Sequence, residues 1–142
     1  MLKKLITLTI IYFFSSLSQA YEIKLKKIIS LDKPWGSSFI NDDELIVTEK
    51  EGKIKIVNIQ SNEVNEIDHN LNFLAHGQGG LLDIIYKENI VWVSYTEKRD
   101  GWKTSTSIAR ARFDKENIDF KNIFQASPPI DSMYRFGSRL EI

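Results

Sequence analysis

Cysteine is missing altogether from the 142 residues, which excludes disulfides, thiolate metal sites and thiol nucleophiles together. Histidine is nearly as scarce: His69 and His76 are the only two. They do not stand at the spacing of an HExxH motif, so no protein-built zinc site is expected. An excess of one charge is lacking too. Lys plus Arg and Asp plus Glu number 19 each, so the basic surplus that marks a nucleic-acid binder does not appear. No apolar run is long enough for a stable membrane span, which needs roughly 20 residues. Beyond the first 20 residues no segment sustains a 3.6-residue apolar period, so helices are not expected.

What is present starts with an N-terminal address. "MLKKLITLTIIYFFSSLSQA" places Lys3 and Lys4 before the apolar run 5–14, then small and polar residues to Ala20. That layout is a secretory signal peptide, residues 1–20, and it implies an exported, periplasmic mature chain. From residue 21 onward the pattern is β. "ELIVTE" and "KIKIVNI" are two apolar runs around a Gly-containing turn, a hairpin signal. "EIKLKKI", "NIVWVSYTE" and "STSIARARF" also alternate or are rich in β-branched and aromatic residues. Short strands with regular turn signals mean a sandwich, a barrel or a propeller.

The repeated meander favours the propeller. "FINDDELIVTEKEGKIKIVNI" reads strand, polar turn, strand, tight turn, strand, and a comparable unit runs from "LLDIIYKENIVWVSYTE" through "SIARARF". Such repeats take about 40 to 45 residues each, so residues 21–142 hold about three blades. A propeller usually closes with four to eight. The final "SRLEI" opens a further strand, and the chain is read as the incomplete N-terminal part of a longer propeller. The alternative is a complete small sandwich ending on an edge strand.

Several residues invite a chemical reading. "AHGQGGLLDI", residues 75–84, clusters Gly77, Gly79 and Gly80 around Gln78. It fits neither G-x-G-x-x-G nor a P-loop, and no helix signal follows, so nucleotide binding is disfavoured. Asp83 and Glu49 have no partner at catalytic spacing, so a paired-carboxylate glycosidase is not supported. Trp35 and Trp92 sit in strand patterns and read as core or blade-interface residues, while Arg110 and Arg112 alternate as a solvated outer face.

The ordered set "KPWGSSFINDDELIVTEKEGKIKIV", "GQGGLLDI", "VWVSYTE", "SIARARF" and "YRFGSRLEI" resembles the soluble glucose/sorbosone dehydrogenases. The likeness is to the N-terminal portion of an aldose sugar dehydrogenase-like member, over residues 33–142. It implies a six-bladed β-propeller holding pyrroloquinoline quinone (PQQ) and calcium above its channel. It also implies oxidation of aldose sugars to lactones, with electrons passed to an external acceptor. Gln78 then faces the sugar, its amide able to donate to and accept from hydroxyls. Tyr134 lines the pocket, and Arg139 matches the motif's arginine in a structural role. The family's histidine base falls at Arg135, whose guanidinium stays protonated and cannot accept a proton. His76, two residues before Gln78, reads as a loop histidine. Most quinone and calcium ligands are expected beyond this chain, so the isolated polypeptide is expected to be inactive. The rival reading is a non-catalytic exported propeller that binds a sugar or a protein at the same mouth.

Overall fold

The alternating segments pair as their patterns require. A computed structural model describes residues 22–134 and 136–142 and contains nine strands. They are β1 (Pro34–Phe39), β2 (Glu44–Glu49), β3 (Lys53–Asn58), β4 (Val64–His69), β5 (Leu81–Lys87), β6 (Ile90–Lys98), β7 (Thr104–Arg112), β8 (Asn117–Ile118) and β9 (Lys121–Gln125). Residues 1–21, which include the segment read as a signal peptide, and Arg135 lie outside the described residues. Among the described residues there is no helix, and so none long and apolar enough to cross a membrane.

Two antiparallel meanders result, in the orders β1-β2-β3-β4 and β5-β6-β7-β9. The turns are chemically specified. Asn41 Oδ1 accepts from the Asp43 and Glu44 N–H groups at 2.9 and 3.0 Å, closing the β1–β2 turn. Asn58 Oδ1 likewise accepts from Gln60 and Ser61 beyond β3. Such local acceptors are why Asn punctuates strands.

Directly paired residues share a face. In the first sheet Ile46 opposes Ile56 and Ile54 opposes Ile67; in the second Ile84 opposes Val93, and Val93 opposes Ala109. These faces meet in one buried cluster, with β5 packed against β1 and β2. Each fully buried Ile or Leu contributes about 1.5–3 kcal/mol, so this shared core holds the sheets together. Short β8, reached after β7, pairs in parallel with β4 and brings Ile118 and Phe120 into the same core.

The stretch 22–28, read as a strand, is not one. Ile23 and Leu25 are 83% and 94% exposed, and alternation without a neighbouring strand gives the backbone no ladder to join. Further on, Ile28, Ile29 and Leu31 line a shallow cavity with Leu45, Val47 and Val57, on the outer face of the first sheet. After β9, the described residues of 126–142 form no strand beyond the isolated bridge between Thr104 and Ile130. The length that suggested about three blades is thus divided among two sheets, this N-terminal lead and the C-terminal segment.

Candidate functional site

The loop 75–80 enters β5 by a path that only glycine allows. Gly77 and Gly80 have φ of 57° and 146°, a region that penalises any side chain. A Cβ on Gly77 would stand 2.5 Å from the Met133 carbonyl oxygen, and one on Gly80 would collide with the Lys50 carbonyl. Three of the amides along this path have acceptors within the protein. Gly79 N–H donates to His76 O at 2.8 Å, Gln78 N–H to Met133 O at 2.8 Å and Leu81 N–H to Lys50 O at 3.1 Å. A phosphate cradle needs such N–H groups turned toward the ligand, and these are turned toward the protein.

The bond from Gln78 to Met133 joins two segments 55 positions apart. Thr104 fixes the second of them: its N–H and C=O pair with Ile130 at 2.8 and 2.9 Å, and its hydroxyl donates to Ser132 O at 3.3 Å. Ser132 Oγ in turn accepts from Tyr134 N–H at 3.2 Å. Exposed Gln78 is therefore tied through its backbone to the residue before half-exposed Tyr134. Arg135 follows directly in sequence but lies outside the described residues.

Beside this junction is a cavity of about 170 Å³ whose lining includes His76, Thr96, Trp102, Asp131, Met133 and Phe136. His76 is thus a loop histidine, as read, and a wall of the cavity as well. Trp102, 77% exposed on the β6–β7 turn and readable from sequence as an aromatic that could stack on a sugar, stands in this lining. Asp131 carries no local mark, because the cavity forms only where that turn meets Asp131, Met133 and Phe136. Thr96 Oγ1 is buried beneath Gly79 without a hydrogen-bond partner.

The remaining candidates lie elsewhere. His69 is structural: its Nε2 donates to Gly52 O at 2.9 Å while Nδ1 accepts from Leu71 N–H at 3.3 Å, a pairing that selects the Nε2–H tautomer. Glu49, buried, does have a partner in Lys55 at 2.8 Å, and also accepts from Asp32 N–H at 2.7 Å. Burial alone would raise its carboxyl, but these two contacts outweigh it and leave the pKa below the usual value. Asp83 accepts from Leu140 N–H at 2.8 Å. Arg110, Arg112 and Arg139 are exposed. Trp92 is half-buried and Trp35 is 49% exposed. Among the described residues no group of three or more His, Asp or Glu could hold a metal ion.

Comparison with known proteins gives this arrangement a context. The family model described as "Glucose / Sorbosone dehydrogenase" matches residues 31–142. Aldose sugar dehydrogenase YliI of Escherichia coli (strain K12) is 28% identical over 119 residues, covering 78% of this chain and 32% of that protein. The crystal structure of the soluble aldose sugar dehydrogenase from Escherichia coli in the apo form matches with a TM-score of 0.73 at 27% identity, covering 79% of this chain and 35% of that one. The PQQ-bound aldose sugar dehydrogenase of Streptomyces coelicolor shares the fold, with a TM-score of 0.63 at 22% identity over 73% of this chain and 34% of that one. The chain spans about a third of the length of these relatives. The neighbours are β-propellers, and the two sheets described above are two of the blades.

Proposed function

The chain belongs to the glucose/sorbosone dehydrogenase family, and from that premise we propose that it supplies the sugar-facing part of an exported aldose dehydrogenase. The reaction converts an aldose to its lactone, releasing two electrons and two protons at C1. PQQ, when bound, supplies the two-electron acceptor, and an external acceptor then takes the electrons onward. Calcium would accompany the quinone. The described residues offer no metal-ligand cluster, so no ligation step is assigned to them.

The observation that carries this reading is the Gln78 N–H to Met133 O bond. It ties the GQGG loop to the segment that carries Tyr134, which supports reading the two as parts of one sugar site. There the Gln78 amide can donate to one sugar hydroxyl and accept from another, which fixes a polyol's orientation. Tyr134, 53% exposed, supplies an aromatic wall beside it. Arg135 binds an anionic group and cannot take the C1 hydroxyl proton. His76, on the same loop, is a group of this chain suited to that task. Export to the periplasm rests on the layout of residues 1–20.

Arg135 favours a second reading, a propeller of the same family that binds a sugar without oxidising it. The test is full-length protein reconstituted with quinone and calcium, followed by dye reduction with a panel of aldoses. Turnover by the wild-type protein supports the dehydrogenase. No turnover, with aldose binding retained in calorimetry, supports the second reading. Activity gained only in Arg135→His, by roughly a hundredfold or more as a restored general base warrants, would identify a site that has lost its base.

A further inference from the structure

Each blade contains the same small device, built from a hydroxyl on its second strand. In the first blade Thr48 of β2 accepts from Gly36 N–H of β1 at 3.0 Å and donates to Leu82 O of β5 at 2.5 Å. In the second blade Ser94 of β6 accepts from Asp83 N–H of β5 at 3.0 Å and donates to Ser138 O at 2.5 Å. Both hydroxyls thus take an amide from their own blade's inner strand and offer a proton to the next inner segment along the chain.

The ladder is interrupted at both places. Pairing between β1 and β2 shifts register between Pro34 and Ser37, and pairing between β5 and β6 shifts between Leu81 and Ile84. An irregularity of this kind leaves a backbone group unpaired and re-aims its neighbours. Gly36 and Asp83 each lie within one of these shifts, so their amides turn to a side-chain hydroxyl. At the second stitch Asp83 adds a further grip, accepting from Leu140 N–H at 2.8 Å. Residues 138 and 140 of an extended chain present their polar groups to the same side. Ser94 and Asp83 therefore replace a strand edge for a segment that forms no strand among the described residues.

We propose that Ser94, with Asp83, is a positioning residue that sets where Tyr134 and Phe136 stand relative to Gln78. The Gln78–Met133 bond and the Thr104–Ile130 pair hold the segment on one side of Tyr134. The stitch at 138 and 140 holds the other. This inference rests on the sugar-site reading above, while Thr48 makes the equivalent stitch one blade earlier.

The experiment compares Ser94→Ala, Ser94→Thr and Thr48→Ala in the full-length protein loaded with quinone and calcium. Ser94→Ala is expected to lower kcat/KM for aldoses about ten- to a hundredfold, the scale of a displaced site group. Ser94→Thr is expected to rescue it, since Thr48 performs the same task. Thr48→Ala should lower the unfolding temperature comparably and leave kcat/KM near wild type. Amide hydrogen exchange gives a second readout independent of activity: Ser94→Ala should speed exchange in residues 130–142 and leave 44–58 unchanged. Unchanged exchange in 130–142 overturns the proposal, and so does faster exchange with kcat/KM lowered no more than in Thr48→Ala. If the wild-type protein does not turn over sugar, the dehydrogenase reading fails, and exchange alone decides the stitch.

Discussion

Gly80 shows how one residue can serve packing and site together. Its carbonyl accepts from Thr96 N–H at 2.9 Å, its φ is 146°, and a Cβ there would run into the Lys50 carbonyl. Gly80→Ala is therefore expected to cost on the order of 3 kcal/mol, combining backbone strain with a displaced first blade. Urea unfolding of the full-length protein measures this, and a loss below about 0.5 kcal/mol, the scale of an ordinary surface change, would contradict it. The cluster of glycines in "AHGQGG" is legible from sequence as a demand for unusual backbone. Which demand is not: the partners are Lys50 and Met133, one far upstream and the other far downstream.

At the scale of elements, the best-defined polar structure is the Glu97 network at the end of β6. Its buried carboxylate accepts from Ser107 Oγ at 2.6 Å, Asn122 Nδ2 at 3.1 Å and Gln125 Nε2 at 2.8 and 2.9 Å, with Arg99 at 3.8 Å. One side chain thereby ties β6 to β7 and β9. Tyr95 donates to Asn122 Oδ1 at 2.6 Å, and burial, followed by the nearby Glu97 charge, pushes its phenol up to about 12. Glu97→Gln would set an amide NH₂ against those of Asn122 and Gln125. The expected loss is about 1–3 kcal/mol, read as a lower thermal midpoint, with Glu97→Asp retaining part of it. The network also shows which strands sequence can reveal. β2, β3, β6 and β7 announce themselves by apolar alternation. β4, "VNEIDH", buries only Ile67, and β9, "KNIFQ", buries nothing. Those two strands are held by ladders and by polar contacts such as Asn122 and Gln125, which carry no hydrophobic period. The stretch 22–28 is the converse case, a pattern without a partner strand among the described residues.

For the whole molecule, the balanced charge conceals many paired carboxylates. Glu44 is held below the usual carboxylate range by hydrogen bonds from Lys115 and then Asn41, and Glu51 by its bond to Lys33. Asp114 is lowered by the backbone N–H groups of Glu116 and Asn117, and Glu49 lies low despite its burial. A carboxyl whose folded pKa is depressed stabilises the fold fully above its unfolded value, roughly 4 to 4.5. That stabilisation is lost as pH falls through the folded value. Stability should therefore be level across neutral pH and decline in acid below about pH 4.5. Unfolding midpoints between pH 7 and pH 2.5 test this, and Lys55→Met should flatten the decline by removing the partner of Glu49. Lys33 and Lys53, raised by Glu51 and Glu66, act in the opposite sense. Their contribution is intact below about pH 10 and lost at higher pH.

The parallel pairing of β8 with β4 has a consequence for synthesis. Ile118 and Phe120 complete the core that Ile46, Ile54, Ile56 and Ile67 begin, yet three strands of the second sheet precede them in the chain. A nascent chain that has emerged only as far as β4 holds all four strands of its first meander and an unfinished interior. The first sheet is finished only once β8 leaves the ribosome, so its completion overlaps the synthesis of the second sheet instead of preceding it.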